Sequence, residues 1–127
     1  MNDLLEYLMQ KITNKTPLEN IVDIFEQMCQ IPIEDDMILF ETGTFSFTGE
    51  PLFYFSLVRQ FPNEDEEYYQ LHVDVLYKPT HKNEQFEAAV WNEDLSENIF
   101  DYIRKSEVFA NTRNDDYVKI DIYMDET

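Results

Sequence analysis

The chain has 127 residues, and its charge is its most unusual property, because 27 Asp and Glu stand against 9 Lys and Arg for a net charge of −18. This balance argues against direct binding to nucleic acid or to an anionic membrane, since both call for a basic patch. Hydrophobic residues make up 43% of the chain. That share is too high for a disordered acidic tail, and it predicts a single globular domain, 1–127.

Two helices are predicted in the N-terminal part, 1–30. The first has an apolar stripe at helical spacing, formed by Leu4, Leu5, Leu8, Met9 and Ile12. A second start signal follows, with Thr16 suited to the N-cap, Pro17 to the first helical position and Glu19 three positions after the cap. The second helix should bury its own stripe of Leu18, Ile21, Val22, Phe25 and Met28.

Aromatic and β-branched residues then predict a β-meander over 37–77. Strands are expected at 37–47, 52–61 and 68–77, and the residues TGEP mark the first turn. The third strand alternates strictly, because successive side chains of a strand point to opposite faces. One face should carry Tyr69, Leu71, Val73, Val75 and Tyr77, and the other Tyr68, Gln70, His72, Asp74 and Leu76.

The C-terminal part predicts one further helix and a closing strand. Segment 86–91, with the sequence FEAAVW, fits either a short fourth strand or a helical turn. Asp94 with Glu97 marks the start of a helix over 94–106, and an alternating strand follows at 117–124. The order α-α-β-β-β-(β)-α-β predicts an α+β, two-layer fold, in which helices cover one face of a mostly antiparallel four- to five-stranded sheet.

The meander gathers acidic residues at one end of the predicted sheet, since alternate turns of a meander lie at the same end. The run NEDEE falls in the turn between the second and third strands, and segment 86–91 would deliver WNED to the same end if it paired with the third strand. The predicted acidic pole comprises Glu34, Asp35, Asp36, Glu64, Asp65, Glu66, Glu67, Glu93 and Asp94, joined by Asp125 and Glu126. Such a pole is either a solvated end of the sheet or a docking surface for a basic protein.

The second strand is apolar on both faces. Phe53, Phe55, Leu57 and Phe61 alternate on one face, while Leu52, Tyr54 and Val58 lie on the other. A sheet covered by helices on one side should show a polar second face. We therefore expect this face to be covered by the region 80–115 or by another chain, which would be a partner or a second copy in a homodimer.

Residues capable of catalysis are few. His72 and Asp74 share a face of the third strand and His81 follows in a loop, but nothing in the sequence fixes a common centre for a metal ion. Asp74 and Asp121, on different strands, could form a carboxylate pair for acid–base chemistry, but the edges of sheets often carry such residues. Cys29 lies beside an apolar stripe and is expected to pack as a small hydrophobic residue. No cofactor or metal is expected.

The sequence therefore predicts a small acidic binding protein of the inhibitor, antitoxin, immunity or chaperone-like type. Its expected partner is a basic or nucleic-acid-binding protein that docks on the acidic pole. The alternative is a small enzyme with a site near His72 and Asp74. A single cysteine, an N-terminus without signal-peptide character and the lack of any apolar run of ~20 residues predict a cytoplasmic protein.

Overall fold

The computed structural model describes residues 2–46, 49, 51–62, 67–78, 87–107, 109, 112 and 116–126. Its elements in chain order are α1 (Asn2–Lys11), α2 (Leu18–Met28), β1 (Met37–Ser46), β2 (Pro51–Pro62), β3 (Tyr68–Tyr77), β4 (Ala88–Trp91), a 3₁₀ helix (Asn92–Asp94), α3 (Ile99–Lys105) and β5 (Tyr117–Glu126). The predicted α+β order is confirmed, and the open question at 86–91 is answered by a strand. Among the described helices, none is long and apolar enough to cross a membrane.

The five strands form one antiparallel sheet in the order β4-β1-β2-β3-β5. β5 pairs with β3 along almost its whole length, from Tyr69 opposite Glu126 to Tyr77 opposite Tyr117. The pairing of segment 86–91 with the third strand, considered as one possibility, does not occur, and β4 pairs with β1, where Leu39 lies opposite Trp91. The physical reason is that the longer ladder of β5 occupies the edge of β3, which leaves the edge of β1 for a four-residue strand.

The hydrophobic core lies on one face of the sheet, under the helices. Side chains at alternate positions of β2 and β3 are fully buried there, namely Phe55, Leu57, Phe61, Leu71, Val73 and Val75. They pack in one cluster with helical residues that include Leu8, Ile21, Phe25 and Ile103. Each such burial contributes about 1.5–3 kcal/mol. The alternation predicted for the third strand and the placement of the helices on one face are both confirmed.

The third helix begins later than the sequence predicted. Asp94 ends the 3₁₀ helix, and Leu95 is extended, with φ −104° and ψ 141°. Asn98 is the N-cap of α3, because its side-chain oxygen accepts a hydrogen bond from the Phe100 N–H at 2.8 Å. The side-chain oxygen of Asn92 accepts from the Ile38 N–H at 3.2 Å, so the segment after β4 is tied to the start of β1. The predicted cap at Asp94 is wrong for this reason.

Two details of the N-terminal helices also differ from the sequence interpretation. Met9 is 56% exposed rather than buried, because the buried stripe of α1 is narrow and follows Leu4, Leu8 and Ile12. Thr16 does not cap α2. Its hydroxyl oxygen instead accepts a hydrogen bond from the Thr13 N–H at 2.8 Å, and the helix begins after Pro17 without a side-chain cap.

A buried arginine, which the sequence analysis did not single out, fastens α2 to the sheet. The side chain of Arg59 is fully buried in β2. Its Nε donates to Asp36 Oδ2 at 2.8 Å, and its two terminal nitrogens donate to the carbonyl oxygens of Met28 at 3.1 Å and Ile31 at 2.6 Å. Carbonyl groups at the end of a helix lack intrahelical partners. Here the guanidinium donates hydrogen bonds to two carbonyl oxygens, one at the end of α2 and one shortly after it. Asp36 is therefore a structural ion-pair partner as well as a member of the predicted pole.

Candidate functional site

The face of the sheet opposite the helices, which we call the open face, contains a cleft of about 460 Å³. Within the described part of the chain, the core cluster includes no side chain from this face. The cleft crosses four strands. It is lined by Leu39, Glu41, Tyr54, Ser56, Val58, Gln70, His72, Asp74, Leu76, Asp121 and Tyr123.

A row of carboxylates crosses the cleft. Glu41 lies opposite Ser56, Ser56 opposite Asp74, and Asp74 opposite Asp121. We call these four residues the acidic row. Because neighbouring strands lie about 4.8 Å apart, Glu41 is about 10 Å from Asp74, and Asp121 lies about 5 Å farther along. The fold thus aligns acids from three strands that are far apart in the sequence.

Apolar and aromatic residues flank the acidic row on both sides. The strand registers place Trp91, Leu39, Val58, His72 and Tyr123 in one neighbouring row, and Gly43, Tyr54, Leu76 and Lys119 in the other. Val58 is only 4% exposed and forms part of the floor, whereas Tyr123 is 36% exposed. The cleft therefore combines an apolar floor with a line of negative charge.

Asp74 is the most tightly held acid of the row. Ser56 Oγ donates to its Oδ1 at 2.5 Å, Tyr123 Oη donates to its Oδ2 at 2.8 Å, and His72 Nδ1 lies 3.9 Å from Oδ1. Burial by itself raises the pKa of Asp74, but the attraction of His72 and the two hydrogen bonds outweigh burial and hold that pKa below its ordinary value of 3.8. Asp74 is therefore ionised at neutral pH.

The geometry around His72 does not assemble a catalytic relay. Its ring stacks on Tyr123 with a centroid separation of 4.5 Å and an interplanar angle of 5°. Its Nε2 lies 3.4 Å from Asp125 Oδ2. In a serine–histidine–aspartate relay the histidine lies between the hydroxyl and the carboxylate. Here Asp74 lies between Ser56 and His72, so neither ring nitrogen of His72 is in place to accept the Ser56 hydroxyl proton.

A further polar contact of the cleft joins Tyr54 to Glu41. Tyr54 Oη donates to Glu41 Oε1 at 2.7 Å. This hydrogen bond, together with burial, raises the pKa of Tyr54 to about 12. All three residues that the sequence suggested as an interface lie on the open face, where Tyr54 and Val58 line the cleft and Leu52 is half-buried. Their role in docking stays a prediction.

The registers also show where the predicted acidic pole lies. Met37 opposite Gln60, Leu39 opposite Trp91 and Tyr69 opposite Glu126 bring the adjoining segments to one end of the sheet. We call the described acids of these segments the acidic end: Glu34, Asp35, Asp36, Glu67, Glu93, Asp94, Asp125 and Glu126. All but Asp36 are exposed. The predicted pole residues Glu64, Asp65 and Glu66 lie outside the described residues, as does His81.

The structure also describes the residues that the sequence analysis considered for metal binding and for a reactive thiol. Among the residues that the structure describes, no group of three or more His, Cys, Asp and Glu side chains is placed to hold a metal ion. Burial raises the pKa of the Cys29 thiol to about 12, so this thiol is protonated at neutral pH.

Glu41, Ser56 and Tyr123 belong to the cleft but were not singled out from the sequence. A signal for the first two was present, because the sequence TGEP predicts a hairpin of β1 with β2, and Glu41 lies opposite Ser56 in that pair of strands. No comparable signal placed Tyr123 beside Asp74, since that contact depends on β5 pairing with β3.

Comparison of the chain with protein-family models, with curated proteins and with solved structures finds no match. We therefore infer function from the chemistry of the open face and of the acidic end.

Proposed function

We propose that the chain is a protein-binding module that recognises a basic protein partner through the open face and the adjoining acidic end. The observation that carries this proposal is the cleft of the open face, where apolar residues flank a row of carboxylates. Burial of the apolar residues by a partner contributes affinity. The carboxylates contribute orientation, specificity and speed of association.

The charge of the molecule supports a basic partner rather than a second copy of the chain. A net charge of −18 attracts a cationic protein over a distance limited by salt screening. A homodimer through the open face would bring two acidic rows together, and juxtaposed like charges cost several kcal/mol. A basic surface on a partner would neutralise the same carboxylates.

This mode of recognition fits an inhibitor, an antitoxin or immunity-type protein, or a chaperone for a basic client. A nucleic-acid-binding protein is one such client, because its own basic binding surface complements the acidic end. We place the module in the cytoplasm. The single, half-buried cysteine is consistent with a reducing compartment, where thiols persist.

A small enzyme using His72 and Asp74 is the second candidate, and the presence of both residues in the cleft favours it. Binding is the better-supported function, because Asp74 lies between Ser56 and His72 and leaves neither ring nitrogen of His72 in place to accept the hydroxyl proton. Turnover of a substrate that His72→Ala abolishes in a folded variant would favour the enzyme instead.

The proposal is tested by affinity capture with two charge-matched variants. The open-face variant carries Glu41→Gln, Asp121→Asn and Asp125→Asn. The helix-side variant carries Glu6→Gln, Glu19→Gln and Asp101→Asn, which are exposed positions on α1, α2 and α3. Each variant loses three negative charges, at different positions. A difference in partner retention between the two variants therefore reports the location of the charges rather than the net charge.

The immobilised wild-type chain should retain a basic protein from a native lysate at low salt and release it at high salt. The helix-side variant should retain the same protein, whereas the open-face variant should lose most of it. Equal retention by the two variants, or retention of no basic protein by the wild type, would contradict the proposal.

A further inference from the structure

The carboxylates of the acidic row form two separate groups. Glu41 stands alone on β1, whereas Asp74 and Asp121 lie directly opposite each other on β3 and β5, with Ser56 between the two groups. At about 4.8 Å per strand, Glu41 is about 10 Å from Asp74 and about 14 Å from Asp121. This backbone spacing suits two cationic side chains, one for each group.

Among the described residues, the cationic neighbours of Asp74 and Asp121 are His72, whose Nδ1 lies 3.9 Å from Asp74 Oδ1, and Lys119. Like charges directly opposite each other on neighbouring strands are destabilising. Lys119 Nζ lies 3.3 Å from Asp121 Oδ2, but this ion pair is solvent-exposed, and exposed pairs contribute little. A cation supplied by a partner could form charge-assisted hydrogen bonds with both aspartates.

Glu41 is oriented so that it can bind a second cation. The hydrogen bond from Tyr54 to Glu41 Oε1 fixes this carboxylate over β1. A carboxylate can accept further hydrogen bonds at both of its oxygens. The second group is therefore already oriented before any partner arrives.

The flanking rows favour arginine as the source of these cations. Long basic side chains lay their aliphatic stems on apolar surface, which Val58 and Leu76 provide beside the acidic row. A guanidinium also stacks on aromatic rings and forms bidentate hydrogen bonds with carboxylates. Tyr54 and Tyr123 lie at the two sides of the cleft and supply such rings.

We propose that the acidic row is a two-point site for a partner segment that lies across the strands and presents two arginine side chains about 10–14 Å apart. One arginine binds at Glu41 and the other between Asp74 and Asp121. This inference rests on the proposed function and adds to it a spacing that the partner must satisfy.

The spacing can be tested with helical peptides used as rulers, since an α-helix rises 1.5 Å per residue. Three alanine-rich peptides each carry two arginines, at i and i+4, at i and i+7, or at i and i+11. These spacings are about 6, 10.5 and 16.5 Å along one helical face. The peptides have identical composition and charge, so general attraction to an acidic protein predicts equal binding.

The i, i+7 peptide should bind about fivefold or more tighter than the other two, because its spacing matches the two groups with the least distortion of its arginine side chains. Affinity is measured by titration of the isotope-labelled chain, in which amide NMR shifts also report the location of binding. Glu41→Gln should remove the advantage of the i, i+7 peptide, whereas Glu6→Gln on α1 should leave it unchanged.

Equal affinity of the three peptides, or no binding at the open face, would overturn the two-point site. The proposed function would survive either result if a captured basic protein still required the open-face acids. If the cleft binds spermidine tightly and binds none of the peptides, the acidic row is a binding site for a small polyamine. That result would also overturn this inference. Loss of partner capture together with loss of peptide binding would overturn both proposals.

Discussion

Gly43 and Tyr54 lie directly opposite each other on β1 and β2, and the ring of Tyr54 fills the space that a side chain on residue 43 would need. A Cβ atom at position 43 would lie only 2.8 Å from Tyr54 Oη. The absence of a side chain at this glycine therefore lets the tyrosine lie across β1 and reach Glu41. One end of the acidic row is positioned by a residue that has no side chain.

Gly43→Ala should lower the pKa of Tyr54 from about 12 towards its ordinary value of 10. The new methyl group displaces the ring and breaks the hydrogen bond to Glu41, which is the main cause of the raised pKa. The pKa is measured by following the ring carbon resonance of labelled tyrosine against pH, and Tyr54→Phe assigns the signal. If the pKa of Tyr54 is unchanged in Gly43→Ala, the ring still donates to Glu41 and does not need the space that Gly43 leaves.

Arg59→Ala should destabilise the fold by about 3–5 kcal/mol, because it leaves Asp36 and the end of α2 without their buried partner. Urea unfolding measures the loss. The double variant with Asp36→Ala should cost less than the sum of the two single variants, since the residues form one ion pair. Additive losses would mean that the pair at 2.8 Å contributes no coupling energy.

Asp74 should make the stability of the fold depend on acidity. Its folded-state pKa is below the ordinary value, so the unfolded chain binds its proton more readily. The resulting stabilisation is present above a pH of about 4 and is lost as the pH falls through the folded-state pKa. Asp74→Asn should flatten this part of the pH profile in urea unfolding. If Asp74→Asn and the wild type lose stability equally as the pH falls, other carboxylates cause the loss.

Cys29 should react slowly with iodoacetamide in the folded chain at a pH of about 8, because burial raises its thiol pKa to about 12 and the thiolate is the reactive form. Unfolding in urea should restore the rate typical of a free cysteine. Fast reaction in the native state, measured by intact mass, would contradict a buried position at the end of α2.

The parts of the fold that depend on local pattern were predictable from the sequence. In β3 the side chains alternate with a period of two, so the shared face of His72 and Asp74 followed directly. The position of Asp121 in the acidic row did not follow, because it depends on β5 pairing with β3 across a long stretch of chain. Local residue preferences carry no information about which of two free strand edges a later strand will occupy.

Two other features show where sequence patterns are ambiguous and where a signal was available. Asp94 and Asn98 are both suitable N-cap residues, and the hydrogen bond from Ile38 to Asn92 decides between them by holding the earlier segment against β1. Arg59, by contrast, occupies a position that alternation with Leu57 and Phe61 assigns to the core. A charged residue at such a position indicates a buried ion pair.

The central claim is that the open face and the acidic end, rather than the total charge, recognise a basic partner. Its most direct test is the association rate of the captured partner, measured by stopped flow from low to physiological salt. The wild type, the open-face variant and the helix-side variant defined above are compared at each salt concentration.

The account predicts fast association of the wild type that slows steeply as salt rises, because the Debye length falls to about 8 Å at physiological ionic strength. The helix-side variant should follow the wild type closely, since Glu6, Glu19 and Asp101 lie outside the open face and the acidic end. The open-face variant should associate about tenfold more slowly at low salt, with a flatter salt dependence. Equal slowing of the two variants, or no slowing of either, would contradict the claim.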